Sequence, residues 1–326
     1  MRRRRILCLP LFASTAGCRG VQHALDPISG EAAVISHMSW LLYGGAALIF
    51  VVVMALAAYA VFGPRGRNRL AHHGLIIGGG IVFPIVALTA LMIYIFSGAP
   101  NLLLRGTPEL HIEVTGEQFW WRVRYLDAGG KPQFETANEI VIPVDTTVAF
   151  HLRTADVIHS FWVPNLHGKL DMIPGHPKTM HVRPQRTGLY RGQCAEYCGT
   201  QHAKMAFMIE AVAADAFENW RRTQMQAARP PEGALLERGH DVFHASGCAT
   251  CHTVRGANAS GIIGPDLTHV GSRRTLGAGL LPNGVGALGG WIADSQALKP
   301  GNRMPTFTSL SAADLRAVAA YMASLR

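Results

Sequence analysis

The chain has 326 residues, of which 49% are hydrophobic and only 16% charged, and its mean hydropathy is +0.17. That is too apolar for an ordinary soluble protein and too polar for a many-span membrane protein, and the length allows two or three domains. Seven of the arginines behind the net charge of +9 are Arg2 to Arg5, Arg65, Arg67 and Arg69; they flank apolar segments and leave +2 elsewhere, so the surplus reads as membrane topology and no nucleic-acid partner is expected.

Residues 1–18 read as a signal peptide: four arginines, a short apolar run from Ile6 to Phe12, then small residues. Thr15-Ala16-Gly17-Cys18 resembles a bacterial lipoprotein cleavage site with Thr15 where Leu is usual, so Cys18 is a candidate for lipidation; cleavage without a lipid is the plainer alternative. Leu41 to Phe62 and Gly74 to Ser97 are uncharged runs of 22 and 24 residues. Helices of that length span a hydrocarbon core of about 30 Å, so residues 36–98 are expected to form a transmembrane helix hairpin. Pro84 should kink the second helix, and Gly78-Gly79-Gly80 should weaken it while permitting close packing. The Arg65/Arg67/Arg69 turn places the hairpin's loop in the cytoplasm and everything after it outside.

Short β-like runs follow at Leu110 to Thr115, Glu139 to Val144, Thr147 to Leu152, Lys178 to Val182 and Ala206 to Val212, separated by turn signals, which argues for a β-sandwich or barrel. Asp215 to Ala228 reads as helix and Arg229 to Gly233 as linker. A small helical unit begins at Leu235 to Phe243 and ends with Ser311 to Leu325, where Ser311 caps and Asp314 lies three residues on. Gly256 to Gly290 is glycine-rich and expected to be mostly loop.

Two motifs carry chemistry. Cys194, Cys198, His202 and Met205 are spaced Cys-x3-Cys-x3-His-x2-Met, a set of soft and borderline donors that selects copper over calcium or magnesium; a Cys194–Cys198 disulfide is the bland alternative. Cys248-Ala249-Thr250-Cys251-His252 is the Cys-x-x-Cys-His pattern of covalent haem c attachment, with His252 as proximal ligand. A redox dithiol has no need of the histidine, and a zinc site lacks a second ligand pair nearby, His269 alone not supplying one. For the sixth iron position Met304, in a loop before Pro305, is preferred to Met322, which lies on an apolar helix face. Gly264 to Leu267 would line the proximal haem edge, or be a plain turn.

In this order and with these motifs, essentially the whole chain resembles subunit II of a haem–copper cytochrome c oxidase with a cytochrome c domain fused at its C-terminus. The resemblance implies a multi-domain fold: a two-helix transmembrane hairpin (36–98), an all-β cupredoxin-like sandwich (107–214), a helix and linker (215–233) and a small all-α class I cytochrome c (234–326). It implies a binuclear CuA centre with Cys194 and Cys198 bridging, His159 and His202 as terminal ligands, Met205 as weak axial ligand and the Glu196 carbonyl on the other copper. His159 comes from the resemblance alone, since spacing could not prefer it to His167, His176 or His181. The Glu196 carboxylate would help bind a magnesium or manganese ion at the subunit I interface, as a hard donor suits. Phe119, Trp120 and Trp121 would form the patch where electrons enter, with Phe119 standing where a tryptophan is common; β-strand core packing is the plainer alternative, and Trp121 would serve both. A glutamate often found seven residues before the second-span proline is Ile77 here; either His72 or His73 substitutes or that proton entrance is built differently, and no proton role is assigned to this chain.

The function so implied is electron input to a haem–copper terminal oxidase in the bacterial cytoplasmic membrane. Electrons would pass from a periplasmic cytochrome c or cytochrome bc complex to haem c and CuA, then to subunit I, where O2 is reduced with proton pumping; no oxygen site lies on this chain. The alternatives are a CuA-type nitric oxide reductase subunit, a quinol oxidase subunit II, against which the intact donor set argues, and a free membrane-anchored carrier.

Overall fold

The computed structural model describes residues 20–63, 73–98 and 107–326. The expectations for the signal peptide, Cys18, His72 and the turn carrying Arg65, Arg67 and Arg69 lie outside the described residues.

Helix α1 (Gly30–Phe62) is 33 residues long and starts well before the uncharged run. Ser29 caps it, accepting from the Ala32 amide at 3.1 Å and donating to the Leu166 carbonyl. Its first turns are soluble in character: Glu31, Ala32 and Ser36 are buried against the β-domain, whereas Trp40 to Phe62 expose a wholly apolar surface. The second span is α2 (His73–Ile77), a π-helical turn (Gly78–Val82) and α3 (Phe83–Gly98). The π turn falls on the three glycines, and the helix runs on through Pro84. Both helices are long and apolar enough to cross a membrane.

The β-domain contains β1 (Leu110–Glu117), β2 (Trp120–Leu126), β3 (Pro132–Ala137), β4 (Glu139–Pro143), β5 (Val148–Thr154), β6 (His159–Trp162), β7 (Leu170–Met172), β8 (Lys178–Val182), β9 (Gly188–Cys194) and β10 (Ala206–Val212). They form two five-stranded sheets, ordered β3-β2-β1-β5-β8 and β4-β10-β9-β6-β7. β1 runs parallel to β5 and β4 to β10; the other neighbouring pairs are antiparallel. The alternation in β1 buries Ile112 and Val114 while His111, Glu113 and Thr115 face outward. Between the sheets Trp121 is 0% exposed and packs edge-on to Phe207 and Phe161 at 5.0 and 5.9 Å. The segment before α1 is tied to the same sandwich: the Ile28 amide donates to the Asn165 carbonyl at 2.9 Å and Gln185 to Ile28 at 2.7 Å.

Helix α4 (Ala214–Met225) leads into the linker, and the second core gathers α5 (Ala234–Ala245), α6 (Val285–Ala293), α7 (Ser295–Leu298) and α8 (Ala312–Ser324). Ser311 caps α8, accepting from the Asp314 amide at 3.1 Å. The glycine-rich stretch before Gly290 is not all loop. It holds one short antiparallel strand pair, one strand of another and most of α6, whose glycines do not prevent Leu288 and Ile292 from being buried in the second core.

Candidate metal centres

The soft-donor loop joins the end of β9 to the start of β10 and is closed at its neck by the Cys194 amide, which donates to the Met205 carbonyl at 2.9 Å. The β6–β9 pairing sets Phe161 opposite Cys194, which brings His159 at the start of β6 beside the loop. The Cys194 and Cys198 sulfurs are 3.8 Å apart, far beyond the ~2.05 Å of a disulfide, and both are free thiols. Around them stand His159 Nδ1 at 3.8 Å from Cys194 Sγ, His202 Nδ1 at 3.7 Å and Met205 Sδ at 3.8 Å from Cys198 Sγ, and the Glu196 carbonyl at 3.2 Å from Cys194 Sγ. His159, Cys194, Cys198 and Met205 are no more than 3% exposed. All six expected donors of the loop and β6 therefore converge, and three of them, His159, Cys194 and Cys198, group tightly enough to hold a metal ion.

His159 has room because residue 116 is glycine: a Cβ there would lie 2.8 Å from the imidazole Cδ2. Its Nε2 donates to Asp156 Oδ1 at 2.8 Å, which turns Nδ1 toward the sulfurs. Burial works against a charge on His159, but the hydrogen bonds to Asp156 and Cys194 outweigh it and raise its pKa. Burial likewise opposes the Asp156 carboxylate, yet the bonds it accepts from His159, Gln118 and Val157 hold it below the usual range. The two thiols share a hydrogen bond at 3.8 Å that lowers the pKa of Cys194, while the same bond and burial push Cys198 up. Gln118 fastens the loop from the other sheet, Nε2 to the Cys198 carbonyl at 2.6 Å.

Glu196 sends its carboxylate outward, 3.3 Å from Lys169 Nζ, away from the sulfurs its own carbonyl faces. Of the aromatic patch, Phe119 is 6% exposed, Trp121 is wholly buried and only Trp120 is partly open, its ring under the Arg122 guanidinium at 4.7 Å. Trp121 is thus sandwich core next to His159, not a surface residue. Among the other histidines, His176 is exposed, His167 half-buried and His181 on β8, none close to the sulfurs.

The haem motif lies in a 3-10 turn (Cys248–Thr250), with the His252 amide donating to the Cys248 carbonyl at 3.0 Å. A cavity opens beside it, lined by Cys248, Cys251, His252, Met304, Arg273 and Trp291, and closed on one side by Gln118, Phe119 and Trp120 of the β-domain. His252 Nδ1 lies 2.8 Å from the Pro265 carbonyl, which can only accept, so Nδ1 carries the proton and Nε2 keeps a free lone pair. Burial lowers the His252 pKa and favours that neutral ring. Gly264 makes the contact possible, since a Cβ there would lie 2.5 Å from the ring. The Gly264 to Leu267 segment is therefore more than a plain turn.

Met304 is gripped on both sides of its backbone: its amide donates to Asn302 Oδ1 at 2.8 Å and its carbonyl accepts from Ser295 Oγ at 3.0 Å and Gln296 Nε2 at 2.8 Å. Met322 also borders the cavity but is 3% exposed and packed in the helical core. The cavity fits a haem in its chemistry: two thiols, a basic ring nitrogen, a thioether, apolar walls, and Arg273 Nε, buried without a partner, for an anionic substituent.

Sequence reasoning missed Asp156, Gln118, Arg303 and Lys299. Arg303 Nη2 lies 3.5 Å from Asp156 Oδ2, and Lys299 is 2% exposed. Only Asp156 left a signal, the three-residue spacing to His159.

Residues 112–212 match the family described as cytochrome c oxidase subunit II, periplasmic domain, and residues 236–326 match cytochrome c. Cytochrome c oxidase subunit 2 of Alkalihalophilus pseudofirmus is 36% identical across 98% of this chain and 95% of its own length. That of Bacillus subtilis is 31% identical across 67% of this chain and 62% of its own length. The crystal structure of the periplasmic domain of subunit II of cytochrome oxidase of Bradyrhizobium japonicum is 32% identical, covering 37% of this chain and 96% of that one, with a TM-score of 0.35. A chain that aligns almost end to end with such a relative and carries both matched domains in sequence belongs to the cytochrome c oxidase subunit II family, in the form that bears a cytochrome c domain.

Proposed function

We propose that this chain is the electron-input subunit of a proton-pumping haem–copper oxidase, anchored by its two apolar helices in a bacterial cytoplasmic membrane with residues 107–214 and 234–326 on the outer side. Electrons come from a periplasmic cytochrome c or cytochrome bc complex and leave to subunit I, where O2 is reduced to water. The observation that carries this reading is the convergence of Cys194, Cys198, His159, His202, Met205 and the Glu196 carbonyl, with sulfur–donor distances of 3.2 to 3.8 Å. When bound, a binuclear CuA and a haem c supply one-electron chemistry.

The chain's own residues explain why this suits relay and not substrate turnover. Cys194 and Cys198 would supply the two sulfur donors of a copper centre, and such soft ligands suit one-electron relay. His159 is fixed by Asp156 and the loop by Gln118 and the neck hydrogen bond, which favours one donor arrangement in both redox states. Aromatic burial at Trp121, Phe161 and Phe207 keeps water away from the inner side. At the second centre, Cys248 and Cys251 would hold a haem covalently, with His252 Nε2 and Met304 as the residues that would offer donors to its iron.

Glu196 has two faces, a carbonyl toward the sulfurs and a carboxylate toward the surface beside Lys169; the outward carboxylate supports a shared magnesium or manganese site with subunit I. Metal and haem analysis of the purified complex, with oxygen and nitric oxide turnover measured side by side, tests the reading. Copper, covalent haem and oxygen turnover are expected; no copper, or turnover of nitric oxide alone, would overturn it.

A further inference from the structure

We infer that Lys299 is a positioning residue that locks the haem-bearing domain onto the copper-ligand loop, so that the fused cytochrome is a fixed donor and not a swinging one. The inference rests on the reading above and adds to it a mechanism for holding the two centres in one geometry.

Lys299 follows α7 and sends its side chain out of the cytochrome domain's own core into the seam with the sandwich. A lysine ammonium has three N–H donors, and all three find backbone carbonyls: Phe119 at 2.7 Å, Lys204 at 2.7 Å and Gly277 at 2.8 Å. Two acceptors belong to the β-domain and one to the cytochrome domain, so the ammonium bridges the domains at a point where it is 2% exposed. Burial pushes its pKa down to about 7, and three carbonyls accepting from it favour the charged form. A buried charge is tolerated only when so fully satisfied, which makes the position specific for a flexible three-donor cation.

What Lys299 joins gives the lock its consequence. On one side it holds the carbonyl of Lys204, whose neighbour Met205 is a candidate copper donor. On the other, Asn302 donates to the Lys299 carbonyl at 2.8 Å and accepts from the Met304 amide at 2.8 Å, so lysine and candidate haem donor sit on one compact turn. The contact is doubled: Lys204 Nζ donates to the Leu298 carbonyl at 2.9 Å, and the Ala206 amide donates to the Ala278 carbonyl at 3.0 Å. The third acceptor, Phe119, lies in the aromatic patch and is covered by the same docking.

The test is Lys299→Met in the assembled complex. The spread of haem-to-copper distances is read by pulsed EPR, and the first-order passage of one electron from reduced haem to oxidised copper by rapid photoreduction. Removing one charge-assisted bond's worth of docking should raise the undocked population at least about tenfold, broadening the distance distribution and slowing the transfer while each centre's own spectrum stays native. A distribution as narrow and a transfer as fast as in the parent would overturn the proposal. Should the variant fail to assemble, amine labelling of the parent protein decides: Lys299 should react at least about tenfold more slowly than exposed Lys169, as a closed seam requires, and equal labelling would overturn the lock. The labelling needs neither metal nor haem, so its outcome is separable from failure of the functional reading.

Discussion

Asp156→Asn isolates how the protein holds its candidate copper donors. The carboxylate accepts from His159 Nε2 at 2.8 Å through one oxygen and from the Gln118 amide at 2.8 Å through the other, with Arg303 at 3.5 Å. An amide of the same shape has only one acceptor, so its NH2 must face either the imidazole N–H or the Gln118 N–H, donor against donor. The side chain is 12% exposed, so solvent screens little of the loss. A charge-assisted hydrogen bond of this kind contributes about 1.5–3 kcal/mol, which corresponds to roughly 10- to 150-fold in an equilibrium constant. Because His159 depends on Asp156 for its orientation, most of that loss should appear as weaker copper binding, in line with the ~10–100-fold typical of residues that orient a metal ligand. Competition titration against a chelator of known affinity, with the visible copper spectrum followed, gives the number. Affinity and spectrum equal to the parent's would show that His159 needs no orienting partner and would refute the reasoning.

Four further outcomes follow from the geometry. Gly264→Ala drives a Cβ into the His252 ring and should destabilise the cytochrome domain by about 1–3 kcal/mol, with altered axial ligation visible in the Soret region although the haem remains attached. Met304→Leu should shift the haem midpoint potential and change the axial-ligand spectrum, whereas Met322→Leu should leave both alone and cost less than about 1.5 kcal/mol in thermal denaturation. Trp121→Ala removes the largest side chain in the sandwich core and should cost about 3–5 kcal/mol by denaturant titration, whatever donor is used for turnover. Stripping copper with a chelator should lower the Tm of the sandwich and leave the haem domain's transition in place, because a ligand bound only by the folded form stabilises that form.

Much of the fold was legible because each segment kept one period. The five strands expected from short apolar runs are all present, whereas β2, β3, β6, β7 and β9 carry no such signal. β2 was hidden because Trp120-Trp121-Arg122-Val123-Arg124 reads as an aromatic patch, yet Trp121, Arg122 and Val123 are all buried, Arg122 by pairing with Glu117 at 2.6 Å and Glu135 at 2.5 Å. β6 is four residues long and begins at His159, too short for alternation to show.

The motif-borne part of both candidate sites, by contrast, is local in sequence: Cys194 to Met205 is one loop and Cys248 to His252 one turn. What sequence could not supply was long-range. His159 stands 35 residues from Cys194, Pro265 reaches back 13 residues to His252, and Lys299 meets Phe119 across 180. Such partners are set by strand pairing and domain docking, which leave no spacing rule behind.

The most direct test of the account is the EPR spectrum of the copper bound by this chain as isolated in its complex. One unpaired electron shared equally between two copper nuclei is predicted, with the signal lost in Cys194→Ser and in Cys198→Ser. Hyperfine structure from a single copper nucleus, or a two-copper signal that survives either substitution, would contradict it.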